Sequence, residues 1–196
     1  MSIKLSEDMW DSEDQGVDLG IDHDDGVSIM TQYDWYTEIN GRPARFFAGM
    51  NNAFFSMDEL GSTDTSHHFI RLYGHGDVEV IDDLTLFGLL SYTPNDEVAL
   101  MQSQISVGAN WKGLFPGRPD DRTLFYVTYG QLSDELPTAA SGSEPDYEMV
   151  YELGHRFQIT PAIYAQPCVQ YIQNPGGTGD FSDAVVVGMQ AGMTIF

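Results

Sequence analysis

The chain has 196 residues, with 8 basic side chains against 30 acidic ones, a formal charge of −22, and one cysteine. So acidic a surface excludes a nucleic-acid partner, whose binding needs basic side chains to displace counterions, and equally excludes docking onto anionic lipid by a basic face. Cys168 alone excludes an internal disulfide and a thiolate zinc cluster.

No stretch approaches the apolar run of a spanning helix. The opening Met-Ser-Ile-Lys-Leu-Ser-Glu-Asp has neither the basic nor the apolar region of a secretory signal, which by itself points to a cytoplasmic protein. Residues 1–26 are acidic, with room for one short strand at Ile3–Trp10 and a loop. Within that loop Asp22-His23-Asp24-Asp25 is oxygen-rich, but lacks the spacing of a calcium-binding EF-hand loop.

From Val27 onward the apolar residues alternate. Val27, Ile29, Thr31, Tyr33, Trp35, Thr37 and Ile39 take one phase, and Ser28, Met30, Gln32, Asp34, Tyr36 and Glu38 the other. A strand sends successive side chains to opposite faces, so this is a two-faced strand. Asn40-Gly41 then suits the positive φ angles of a tight hairpin, and a second strand follows at about Ala44 to Ser56. Further strands are expected at about 67–80 and 84–93, and at Gln104–Phe115, where Ile105, Val107, Ala109 and Trp111 alternate with polar neighbours. Others fall at about 122–132, at Tyr147–Ile159, whose apolar phase is broken only by His155, and at about 162–173 and 184–196. That makes about nine strands, or ten with the first segment, and points to an all-β sandwich or barrel.

The connections alternate in length. Asn40-Gly41, Ile81–Asp83, Pro116–Asp121 and Thr160-Pro161 are short; Met57–Ser66, Pro94–Ser103, Ser133–Asp146 and Asn174–Asp183 are long. Tight turns at one rim and loops at the other are the asymmetry of transmembrane barrels. The aromatic residues Tyr33, Trp35, Phe46, Phe55, Tyr92, Trp111, Phe115, Tyr147, Phe157 and Tyr171 lie near strand ends, where such barrels carry their girdles. A water-soluble β protein would use the same rings as its core.

Three stretches of the second half resemble the carbohydrate-selective (OprB-type) porins. Val107-Gly-Ala-Asn-Trp-Lys-Gly-Leu-Phe-Pro-Gly-Arg-Pro-Asp-Asp121 is similar to that family's strand and Gly-Pro-Phe-Pro-Gly-Arg turn, and leads into Tyr129-Gly-Gln-Leu-Ser-Asp134. Tyr151-Glu-Leu-Gly154, Ile159-Thr-Pro161 and Gln166-Pro-Cys-Val-Gln-Tyr-Ile-Gln-Asn-Pro-Gly-Gly177 follow its order of motifs, and Ala184–Phe196 resembles its closing strand. Leu84–Pro94 resembles one of its earlier strands more loosely. Cys168 stands where the family usually has an aspartate, and the apolar set Val185, Val187, Met189, Ala191, Met193 and Ile195 lies out of phase with Phe196.

The resemblance implies an antiparallel up-and-down transmembrane β-barrel in the outer membrane, passing carbohydrates by passive diffusion into the periplasm. The family closes about 16 strands around its channel, so this chain would be the C-terminal part of a larger barrel whose N-terminal half is missing. That also accounts for the absent signal. Its partners would be sugars as permeating solutes and outer-membrane lipid. Catalytic groups, metal and cofactor are not expected: no nucleophile elbow or phosphate loop occurs, and His67, His68 and His75 lack ligand spacing. By phase, the side chains expected to line the lumen are Asp34, Glu38, Asn110, Lys112, Glu148, Glu152, Arg156, Gln158, Gln166 and Gln170. Two other readings compete: a soluble or surface-exposed β-sheet module that holds a glycan, and a plugged barrel of about ten strands without transport.

Overall fold

The computed structural model describes residues 2–5, 26–138 and 142–194. The loop Asp22–Asp25, residues 6–10 of the first expected strand, and Phe196 lie outside them. Ten strands make one antiparallel sheet in which every strand neighbours the next long one in sequence. These are β1 (Ser2–Leu5), β2 (Val27–Ile39), β3 (Arg42–Phe54), β6 (Phe69–Ile81), β7 (Leu84–Tyr92), β8 (Met101–Lys112), β9 (Arg122–Leu132), β10 (Tyr147–Thr160), β11 (Ile163–Gln173) and β12 (Ala184–Met193). Between β3 and β6 a small hairpin, β4 (Met57–Asp58) with β5 (Thr65–Ser66), stands apart. Strands β1 and β12 are the two open edges, so the sheet is an unclosed meander.

Turn chemistry sets the hairpins. Asn40 and Gly41 both take positive φ, 52° and 75°, which lets β2 reverse into β3 within two residues. Asp83, at φ 64°, does the same between β6 and β7. The connection from β8 to β9 is a correction to the sequence reading. It runs over 113–121 and is no tight turn, because Gly113 turns left-handed at φ 65° and ends β8 at Lys112.

The segment 113–121 is held by a polar clamp at its end. Asp121 is 2% exposed. Its carboxylate accepts Arg118 Nε at 2.7 Å and Nη2 at 2.9 Å, and the Gln158 backbone N–H at 2.9 Å. His155 Nε2 donates to it at 3.3 Å, while Nδ1 of the same ring lies 2.9 Å from the Thr123 hydroxyl. This explains the one polar side chain on the apolar phase of β10: its ring nitrogens are both engaged, and its faces meet Phe115 and Phe157 edge-on.

The register keeps the faces in step. Leu90 pairs with Ile105, Ile105 with Tyr129, and Tyr129 with Met149; Leu153 pairs with Val169, and Val169 with Val187. The apolar phase of every long strand therefore falls on one face, including the set Val185 to Met193 of β12. That face is uncovered: Val187 is 78% exposed, Tyr33 75% and Trp35 57%. Among the described residues the buried hydrophobic side chains are three alanines, 44, 53 and 99, so no sandwich core exists there. Rings pair along it near both ends of the strands, Trp35 with Phe46 at 5.8 Å and Tyr129 with Tyr147 at 5.4 Å.

The Arg118 guanidinium beside it holds the Asp121 carboxyl below the ordinary aspartate value, assisted by the Gln158 N–H and His155. A lowered folded-state value contributes stability above about pH 3.9, which is lost as pH falls through the folded value. The urea midpoint of the full-length protein in detergent should therefore fall between pH 5 and pH 3. In Asp121→Asn that component of the fall should be absent, and the midpoint at pH 6 lower.

Candidate functional site

The face opposite the apolar one carries the polar phase, and all ten side chains singled out from the sequence lie on it. Ladder partners show this directly: Glu152 pairs with Tyr126 and Gln170, Glu148 with Gly130, Gln166 with Gln190, and Lys112 with Arg122.

At its middle sits a carboxylate cluster. Glu152 is 8% exposed. Its Oε2 accepts the Tyr126 hydroxyl at 2.7 Å and the Gln170 side-chain amide. Tyr126 lies against Gly108, where an added Cβ would come within 2.6 Å of the tyrosine Cβ and 2.4 Å of the Phe87 ring. The glycine thus makes room for rings from both neighbouring strands. Asn110, one row nearer the turn, has a buried Oδ1 without a hydrogen-bond partner.

Toward β2 and β3 the face is a mixed ionic and aromatic surface. Arg45 bonds Asp34 through Nε at 3.0 Å, and Gln32 donates to the same carboxylate at 2.8 Å. The Arg45 guanidinium also lies 4.9 Å from the Phe47 ring, which stacks on His75 at 4.7 Å. His75 in turn contacts Asp77 at 3.0 Å. Among the described residues no group of three metal-ligating side chains is assembled, and His68 stacks on Phe54.

The expected residues are not all available to a solute. Glu148 accepts the Gly176 N–H at 2.8 Å and so fastens the loop after β11. Gln158 donates to Thr160 O at 2.7 Å and braces the turn into β11. Lys112 and Arg156 flank Arg122 at the turn end. Glu38, opposite Pro43, and Gln166 stay on the polar face without side-chain partners among the described residues.

Sequence reading missed Arg45, Tyr126, Arg122 and Tyr164. Tyr126, Arg122 and Tyr164 were legible as the polar phase of their strands. Phe46 and Phe47 side by side hid the alternation in β3, since Phe47 belongs to the polar face, under Arg45.

A single antiparallel up-and-down sheet with one bare apolar face, one polar face and open edges is part of a porin-type β-barrel. The high-pH structure of Pseudomonas putida OprB superposes on it with a TM-score of 0.77 at 18% identity, covering 86% of this chain and 48% of that one. The family model "Carbohydrate-selective porin, OprB family" matches residues 71–195, and the chain belongs to that family. The Acinetobacter baylyi protein named "Putative porin QuiX" is 25% identical over 209 aligned positions, 91% of this chain and 47% of that protein. The chain thus spans about half the length of these relatives.

The Glu152 cluster yields a stability prediction. Tyr126→Phe leaves the buried carboxylate without one donor and should lower stability by about 1–2 kcal/mol. Combined with Glu152→Gln the loss should be smaller than the two single losses added, as a double-mutant cycle of urea midpoints would show.

Proposed function

We propose that this chain forms part of the wall of an outer-membrane channel through which carbohydrates diffuse passively into the periplasm. The observation that carries the reading is the uncovered apolar face, continuous across nine strands. In water it would be a large aggregation-prone patch, whereas lipid hydrocarbon is its natural solvent. The opposite face then borders the water-filled lumen. Its amides, carboxylates and guanidiniums replace part of a sugar's hydration through hydrogen bonds weak enough to release it. Asp34, Glu38, Gln166 and Gln170 are the side chains assigned to that contact, with the rings of Tyr73 and Tyr126 for sugar faces, and the buried Glu152 carboxylate holds Tyr126 and Gln170 in place.

The two-residue turns lie at the periplasmic rim and the long loops outside. Edges β1 and β12 require partner strands, because each unpaired backbone group in hydrocarbon costs several kcal/mol. Further strands of a longer barrel supply them. The soluble glycan-binding module finds no support, since nothing among the described residues covers the apolar rows.

Proteoliposomes carrying the full-length protein should swell in isosmotic glucose faster than empty vesicles. Equal rates, with the protein shown to be inserted, would sink the proposal. Leu153→Arg, in the middle of the apolar face, should cost about 2–4 kcal/mol of folding into lipid, and Gln166→Glu on the polar face much less, as read from urea titrations in vesicles.

A further inference from the structure

Three cations stand in a row at the turn end of the polar face. Lys112 of β8 is the ladder partner of Arg122 in β9, and Arg122 is the partner of Arg156 in β10. Like charges directly opposite each other on a sheet repel, with Cβ atoms about 5 Å apart. The chain carries 30 carboxylates to relieve them. It uses carboxylates elsewhere: Arg42 pairs with Glu79 and Asp82, Arg45 with Asp34, and Arg118 with Asp121. Arg71 is held by Thr93 and the Met101 carbonyl. Lys112, Arg122 and Arg156 make no ion pair with any described carboxylate.

The row is also built. The Arg156 guanidinium lies 3.7 Å above the Tyr164 ring. Tyr164 in turn lies across Gly192, where an added Cβ would come within 2.3 Å of the ring. Held in this way, Arg156 keeps a buried Nε–H with no acceptor. The three cations, Gln158, Thr160 and Asp120 border a cleft of about 550 Å³, within the size range of small-molecule sites. Counting Asp120, the cleft still holds an excess of two positive charges.

We infer that Lys112, Arg122 and Arg156 form an oxyanion subsite at the turn end of the channel wall, which takes the carboxylate or phosphate of an acidic sugar. Arg forks meet a planar carboxylate or a phosphate through paired N–H···O bonds, and the exposed Arg122 guanidinium is a donor of that kind. Gln158 and Thr160 border the space where the sugar hydroxyls would lie. A permeant bearing one negative charge relieves the repulsion within the row, so binding is favoured at the site without burying an unpaired charge. The inference rests on the reading of the polar face as a lumen wall.

The test uses the full-length channel in planar bilayers, with potassium chloride current interrupted by sodium gluconate or by glucose added from the turn side. Gluconate should interrupt the current at about one-tenth the concentration of glucose or less, and should lose that advantage in 1 M salt, where the screening length falls to about 3 Å. Arg122→Gln should raise the gluconate concentration needed about tenfold, the scale of one charge-assisted hydrogen bond, and Arg122→Lys, which keeps the charge but loses the paired donors, should fall between the two. Inorganic phosphate should compete with gluconate. Gluconate acting no better than glucose in the unmodified channel, or an Arg122→Gln channel as sensitive as the original, would overturn the subsite. Glucose passage without gluconate preference leaves the porin reading standing, whereas no sugar passage at all removes that reading itself.

Discussion

Backbone hydrogen bonding between neighbouring strands is the constraint on which everything else rests. Among the described residues no second layer covers either face of the sheet, and the short turn Pro175–Gly177 lies at the loop end of β10, so the ladder sets where side chains point. Side chains alternate with a period of two, and a slip of one residue anywhere would exchange the two faces of a strand. The register avoids this from β2 to β12. Irregularities occur between Glu79 and Ile81, Met101 and Ser103, and Gln158 and Thr160, all near strand ends, where a local shift leaves the central rows in phase.

From that sorting follow two surfaces with opposite rules. On the apolar face the polar ring of His155 has its needs met locally, its nitrogens engaging Asp121 and Thr123. On the polar face charges are grouped by partner. Asp34 with Arg45, and Glu152 with Tyr126 and Gln170, are internally satisfied, which fixes their geometry. Lys112, Arg122 and Arg156 are left as a charged row. The polar face therefore presents different chemistry at different positions along the strands.

Membership in the carbohydrate-selective porins agrees with this physical picture without replacing it. The family's Pro-Gly-Arg and Asp-Asp positions in this chain become Arg118 and Asp121, the clamp that closes 113–121 against β10. Cys168, where the family usually has an aspartate, faces Gly154 and Gly188 across the ladder, on the polar face close to Glu152. In this chain the acidic group at that depth is Glu152 itself.

The alternation in β2, β8 and β10 was legible because each strand has a long run with one apolar and one polar phase. In β3 the adjacent Phe46 and Phe47 blurred it. The β4–β5 hairpin left no trace, since strands of two residues carry no period. The length of the β8–β9 connection was misjudged because Gly113, which ends β8, sits inside a segment that still alternates.

Sequence by itself determined the two-faced strands and, in β2, β8 and β10, the side of the sheet on which each polar residue falls, because a period of two is a local property of the chain. Only the tertiary structure decided that the apolar rows stay uncovered, and which polar side chains neutralise one another. Those outcomes depend on the register between strands distant in sequence. It is this register that brought Lys112, Arg122 and Arg156 into one row, and no local pattern encodes it.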